Sequence, residues 1–177
     1  MCEICDGRTE QELFESMRAR IADHQWVLQA VEAGPHSAGW VYTIGLTVAY
    51  GSPELVLSGD DMRHDAMLLA EIGDRIERGA HVDAGVTLDL DGYPVEFEVV
   101  HPSYIEQGLL ACWHNYYYEM GEEPGRLRVL QVVPPLTEWC DHCDRKRRCL
   151  SVPGTPGFGA RLNRAGRRAR ARRQRRH

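Results

Sequence analysis

Residues 145–177 hold thirteen of the chain's 21 Lys+Arg and none of its 26 Asp+Glu. The final seventeen residues contain nine arginines and almost nothing to bury. A segment of that composition cannot offset its ordering entropy by burial and reads as a disordered tail. Any core must therefore come from the chain before it. The remaining residues, 1–144, carry all 26 acids against 8 bases, a net of −18. An acidic body with a basic tail points to a polyanionic partner, although such a tail can also fold back on its own body. Twenty of the 21 bases are arginine, a bias that GC-rich coding also produces, so arginine alone does not signal bidentate phosphate contacts.

A chain of 177 residues has room for one ordinary domain plus an appendage. With 43% hydrophobic and 27% charged residues it has a soluble globular composition, and no window approaches the ~18–20 apolar residues of a membrane span. The opening Met1-Cys2-Glu3-Ile4-Cys5-Asp6 has neither a basic nor an apolar region of a secretory signal. The expected address is the cytoplasm, with no membrane partner.

Thr9-Glu10-Gln11-Glu12 has the form of a capping box, and Leu13, Met17 and Ile21 follow at helical spacing, which predicts a helix over 10–24. Residues 26–31 read as a short strand. Trp40 to Leu46 reads as a second, with Trp40, Tyr42, Ile44 and Leu46 on one face and Gly45 marking a bulge or a close backbone approach. Residues 55–57 form a third strand. Asp60 or Asp61 can cap a helix from 62 to about 78, ended by Gly79. Asp91-Gly92 between alternating strands is a hairpin signal, with Pro94 tolerated only at a strand start or edge. Residues 107–119 read as helix and Arg126 to Val133 as a last strand.

This order predicts an α+β domain: a mostly antiparallel sheet with two or three helices packed on one side, plus a cysteine-rich metal knuckle and a disordered basic tail. The boundaries fall at 1–136 for the domain, 137–150 for the Cys/Arg-rich segment, and 151–177 for a Pro/Gly linker and tail.

Tyr42-Thr43-Ile44-Gly45-Leu46, followed by Pro53-Glu54-Leu55-Val56, resembles a bacterial family known as domain of unknown function 4262. The likeness includes the opening Cys2-x-x-Cys5, Trp26 before a short strand, and Leu130-Gln131-Val132-Val133, and it covers roughly residues 1–134. The family implies no activity. Its members continue into an Asp-Gly and Pro-Trp containing end, where this chain has a Cys/Arg-rich segment instead.

Three groups of residues could carry chemistry. Cys2-x-x-Cys5 and Cys140-x-x-Cys143 are thiolate pairs at the spacing of tetrahedral zinc sites, with His142 and Cys149 as reserve ligands. A local site of Cys140, His142, Cys143 and Cys149 is an alternative, as are free thiols or a redox pair. The second group is basic: Arg145, Lys146, Arg147 and Arg148, then Arg161, Arg164, Arg167, Arg168, Arg170, Arg172, Arg173, Arg175 and Arg176. These offer salt-dependent phosphate contacts, and Arg-rich segments commonly fold on RNA. A tail that merely aids solubility is the plainer reading. The third group is His101, Cys112 and His114 beside Trp113, Tyr116, Tyr117 and Tyr118. It could form a nucleophilic pocket, but a buried helix with packing aromatics is the stronger reading. His64 and His81 read as surface residues, and no nucleophile elbow, zincin, P-loop or dinucleotide motif occurs.

The expectation is a non-enzymatic, zinc-binding accessory protein that binds RNA and associates with ribosomes, with a zinc-responsive hibernation or regulatory role as its sharpest form. A small enzyme or metabolite-binding domain built on His101, Cys112 and His114 is one alternative. A DNA-associated factor is another, and a protein partner is a further option.

Overall fold

A computed structural model describes residues 9–33, 39–58, 61–119, 121 and 127–135. The first helix, α1 (Glu10–His24), starts with the expected capping box. The Thr9 hydroxyl accepts from the Glu12 amide at 3.2 Å, and the Glu12 carboxylate accepts from the Thr9 amide at 2.8 Å. These bonds satisfy amides that the first helical turn leaves without partners. Leu13 and Met17 are buried, so the helix lies on the domain along its length. Gln25, at φ +65°, turns the chain into β1 (Val27–Val31).

The strand β2 (Trp40–Ile44) pairs antiparallel with β1 and with β3 (Glu54–Leu57). Between β2 and β3 lies a short helix, α2 (Leu46–Tyr50). The long helix α3 (Met62–Glu77) is capped by Asp61, which accepts from the amides of Arg63 and His64. Then come β4 (Thr87–Asp89) and β5 (Pro94–Val99), the helices α4 (Pro102–Glu106) and α5 (Ala111–Glu119), and β6 (Val129–Val133). The six strands form one sheet in the order β1-β2-β3-β6-β5-β4.

The α+β class and the mostly antiparallel sheet stand, with one exception: β3 and β6 are parallel. Their crossover carries α3, the β4–β5 hairpin, α4 and α5, so no local signal joins them. The hairpin is as expected. Asp91 and Gly92 take φ of +54° and +93°, the positive values a two-residue type I′ turn requires. Pro94 starts β5 opposite Asp89 in that pairing.

Three expectations need correction. Helices cover both faces of the sheet instead of one. On one face Met17, Tyr42, Ile44 and Val56 pack with Leu110, Trp113 and Tyr117; on the other Val41, Leu55 and Phe97 pack with Leu69, Ile72 and Ile76 of α3. The second strand stops at Ile44, because Gly45 turns the chain at φ +118° into α2. Leu46 then joins the α3 face and leaves Trp40, Tyr42 and Ile44 with the other. The helix expected over 107–119 begins only at Ala111, as α5, because Gly108 at φ +89° turns the chain after a separate short helix, α4, that was not expected.

Helix α3 approaches the sheet closely at Gly73, where a Cβ would fall 2.3 Å from Cη2 and 2.4 Å from Cζ2 of Trp26. Gly73→Ala should therefore lose about 1–3 kcal/mol of stability, the usual cost of overpacking a filled core. Urea unfolding would measure it, and a shift in tryptophan fluorescence would show the indole being displaced. An unchanged midpoint would mean that the helix can simply lift.

Candidate functional site

Strand β3 begins with an acid among apolar neighbours, Pro53-Glu54-Leu55-Val56-Leu57, and every one of these residues is buried. Glu54 has no exposed surface. Burying a carboxylate is costly unless donors surround it, and four donors do. Its Oε1 accepts from the Gly45 amide at 3.0 Å, the Thr47 amide at 3.1 Å and the Trp113 indole N–H at 3.1 Å. Its Oε2 accepts from the Thr43 hydroxyl at 2.6 Å.

Each donor is placed by a local feature of the chain. The antiparallel ladder between β2 and β3 stops at the pair Tyr42–Val56, and the Thr43 hydroxyl takes over by accepting from the Leu55 amide at 2.8 Å. Gly45 turns the backbone so that its own amide and that of Thr47, at the start of α2, face the carboxylate. Trp113 reaches it from α5, its ring tilted against Tyr117 at a 4.7 Å centroid distance. On the far side the Glu54 backbone amide donates to the Arg128 carbonyl at 2.9 Å, just before β6. A single side chain thus ties together β2, α2, β3 and α5.

Burial pushes the Glu54 carboxyl above its ordinary pKa, and the four hydrogen bonds oppose that shift. With no exposed surface, the group has no opening through which a substrate could reach it. The arrangement holds the fold together and positions α2 and α5. Sequence reading quoted Glu54 as part of a resemblance and missed its role. The available signal was an acid at the start of a short, otherwise apolar strand, preceded by a Thr near the end of the strand before it and a Gly just past that end.

The third group of candidates is also in view. His101 caps α4, its Nδ1 accepting from the Ser103 amide at 3.2 Å and lying 2.8 Å from the Ser103 hydroxyl. The backbone amide of Cys112 donates to the Tyr42 hydroxyl at 3.2 Å, and its thiol is half-buried. Burial raises the Tyr42 phenol pKa, with the Cys112 thiol adding to the effect. His114 is exposed, its ring edge-on to Trp113 at 5.1 Å. Each of the three is thus engaged with a different neighbour. Trp113, Tyr116 and Tyr117 face the core from α5, and Tyr118 points outward.

Cys2, Cys5, Cys140, His142, Cys143, Cys149 and all thirteen basic candidates from Arg145 to Arg176 lie outside the described residues. Among the described residues no group of three or more His, Cys, Asp or Glu could hold a metal ion. No helix among them is long and apolar enough to cross a membrane.

The residues around Glu54 are those that carry the family resemblance, and the sequence profile of domain of unknown function DUF4262 matches residues 20–140. The chain belongs to the DUF4262 family. The matched stretch begins inside α1 and spans every later element through β6, so it includes the Glu54 network and most of both cores, with Leu13 and Met17 of α1 preceding it. No curated protein and no solved structure matches the chain significantly.

Proposed function

We propose that this DUF4262 protein is an RNA-binding accessory protein, in which the folded domain carries an Arg-rich tail onto structured RNA, ribosomal RNA being the abundant target. The observation that carries this reading is the separation of charge: −18 over residues 1–144 against thirteen bases and no acid in 145–177. Surface charge within the domain supports it. The described residues hold eighteen Asp and Glu but six arginines. Arg75, Arg78 and Arg128 are each paired with a carboxylate of the domain. Such a surface repels a polyanion, which leaves the phosphate contacts to the tail. In sequence, a Pro/Gly stretch at 153–159 lies between the domain and the nine arginines of 161–177.

Deleting 161–177 removes nine arginines and nothing from the described core. The melting temperature should stay within a degree or two. RNA affinity should fall steeply, and the dependence of log affinity on log salt should flatten, because fewer counterions are released. Single Arg→Ala changes should each have small effects that depend little on base sequence. In lysates, the full chain should sediment with ribosomes at low salt and leave them at high salt. A truncated protein that binds RNA and ribosomes as well as the full chain overturns the proposal and makes the tail a solubility device.

A further inference from the structure

Strand β1 ends the sheet, and among the described residues no strand pairs with its outer side. Which of its backbone groups point outward follows from the ladder. The Leu55 amide donates to the Thr43 side chain, so Val41 and Thr43 turn their backbone groups toward β3. Trp40, Tyr42 and Ile44 then turn theirs toward β1, where they lie opposite Val31, Gln29 and Val27. The N–H and C=O groups of Leu28 and Ala30 are left on the open side. There the Gln29 carboxamide donates to the Ala30 carbonyl at 2.9 Å, a side chain standing where a strand would be.

Sheet edges are usually blunted by shortness, charge, proline or a bulge. At the far end, β4 has three residues and finishes on Asp89. In contrast, β1 has five, Val27-Leu28-Gln29-Ala30-Val31, with no charge and no proline. Its register with β2 runs without a bulge. Such an edge is open to a further strand.

The residues of β1 select a copy of themselves. Antiparallel pairing of two β1 strands, centred on Gln29, sets Val27 opposite Val31 and Leu28 opposite Ala30 of the second copy. The outward groups of Leu28 and Ala30 then face each other and form four hydrogen bonds about a two-fold axis. The two Gln29 carboxamides, each both donor and acceptor, meet at the axis. Apolar side chains oppose apolar ones, and no charge opposes another. A basic tail or a polyanion finds no charge on β1 to meet.

Helix α3 fits the same axis. A Cβ at Gly39 would lie 2.8 Å from the Met62 methyl and 3.0 Å from the Val31 carbonyl oxygen, while one at Gly73 would strike Trp26. Eleven helical residues and five strand residues each span about 16 Å, so α3 runs antiparallel along β1 with Ala66 level with Gln29. Arg75 reaches Asp91 in the hairpin, toward the far edge of the sheet. Ala66, nine residues away at about 100° per residue, is on the opposite flank, beside the open edge. Ala66 and Ala70 are half-buried there, small enough for α3 to lie close to its copy.

From this geometry we infer that two copies of the protein join through β1, fusing their six-stranded sheets into one continuous sheet with the two α3 helices side by side across the junction. The dimer uses no residue of the tail, so it stands apart from the RNA-binding reading.

The test is the mass of the full chain by sedimentation equilibrium, at high salt to screen attraction between tail and body. Twice the mass of one chain is expected. Ala30→Pro removes one outward N–H and leaves the bonds of Gln29 and Val31 to β2, so it should fold, by circular dichroism, and sediment as a single chain. Ala30→Lys keeps every backbone group and places a charge in the junction, and it should weaken association at least about tenfold. Register is read by cysteine pairing under mild oxidation, compared with the native chain. Gln29 faces its copy at about 4.5 Å between Cα atoms, so Gln29→Cys should link two chains. Ala30 is diagonal to its copy at about 7–8 Å, too far for a disulfide, so Ala30→Cys should not. A native chain that stays monomeric at the highest attainable concentration overturns the inference. So does a dimer that survives both Ala30→Pro and Ala30→Lys, which would place the contact on another surface.

Discussion

Glu54→Ala is expected to cost about 3–5 kcal/mol, the upper end of single-substitution effects, because it leaves several buried donors without a partner at once. Alanine strands the amides of Gly45 and Thr47, the Thr43 hydroxyl and the Trp113 indole in a site with no exposed surface, and it opens a cavity as well. Against a typical total of about 5–15 kcal/mol, that is a large share. The melting temperature should fall by roughly 10–20 °C. Glu54→Gln should cost less, because its carbonyl can still accept the three bonds made to Oε1, and only the contact with Thr43 is mismatched.

The same pair of proteins gives a pH dependence with a definite sign. Burial raises the Glu54 carboxyl above its ordinary pKa, so the folded state keeps this proton to higher pH than the unfolded chain does. The stability this group contributes is full below the ordinary glutamate range, near pH 4.3, and is lost as the pH rises through the raised folded value. Glutamine does not titrate. The stability of the native protein minus that of Glu54→Gln should thus decline as the pH rises above about 4. Urea unfolding of both proteins over a pH series measures the difference. A difference that grows with pH would show that the four donors outweigh desolvation.

Gly45→Ala should be comparably damaging, by a different route. At φ +118° the residue sits where side chains are rarely accommodated, and a Cβ would lie 2.5 Å from the Gln25 carbonyl oxygen and 2.9 Å from the Trp26 Cα. Both neighbours are backbone, so relief requires moving the turn between α1 and β1. Strain and overpacking together predict a loss of about 2–6 kcal/mol. Because the Gly45 amide also donates to Glu54, the combination with Glu54→Gln should cost less than the sum of the two. Strict additivity would mean that the two sites are independent, against the geometry.

Much of the local structure was legible because it rests on contacts between near neighbours. The Thr9 and Glu12 capping box, the α3 span with its Asp61 cap, and the Asp91-Gly92 turn all depend on residues within four positions of one another. Sequence reading failed where a side chain replaced a backbone bond. Thr43 stands in for a rung of the ladder and Gly45 redirects the chain, so a seven-residue apolar run that alternates like one strand becomes a strand and a helix.

The separation of charge is a property of the sequence by itself, as are the cysteine spacing, the hairpin and the helix caps, because composition and short-range geometry need no third dimension. Tertiary structure alone decided that β3 lies parallel to β6, that helices cover both faces, and that Glu54 meets Trp113 fifty-nine residues away. The physical reason is that a buried carboxylate must find its donors wherever packing brings them. Here three come from residues 43–47 and the fourth from α5, which reaches the carboxylate only once the sheet and helix have packed.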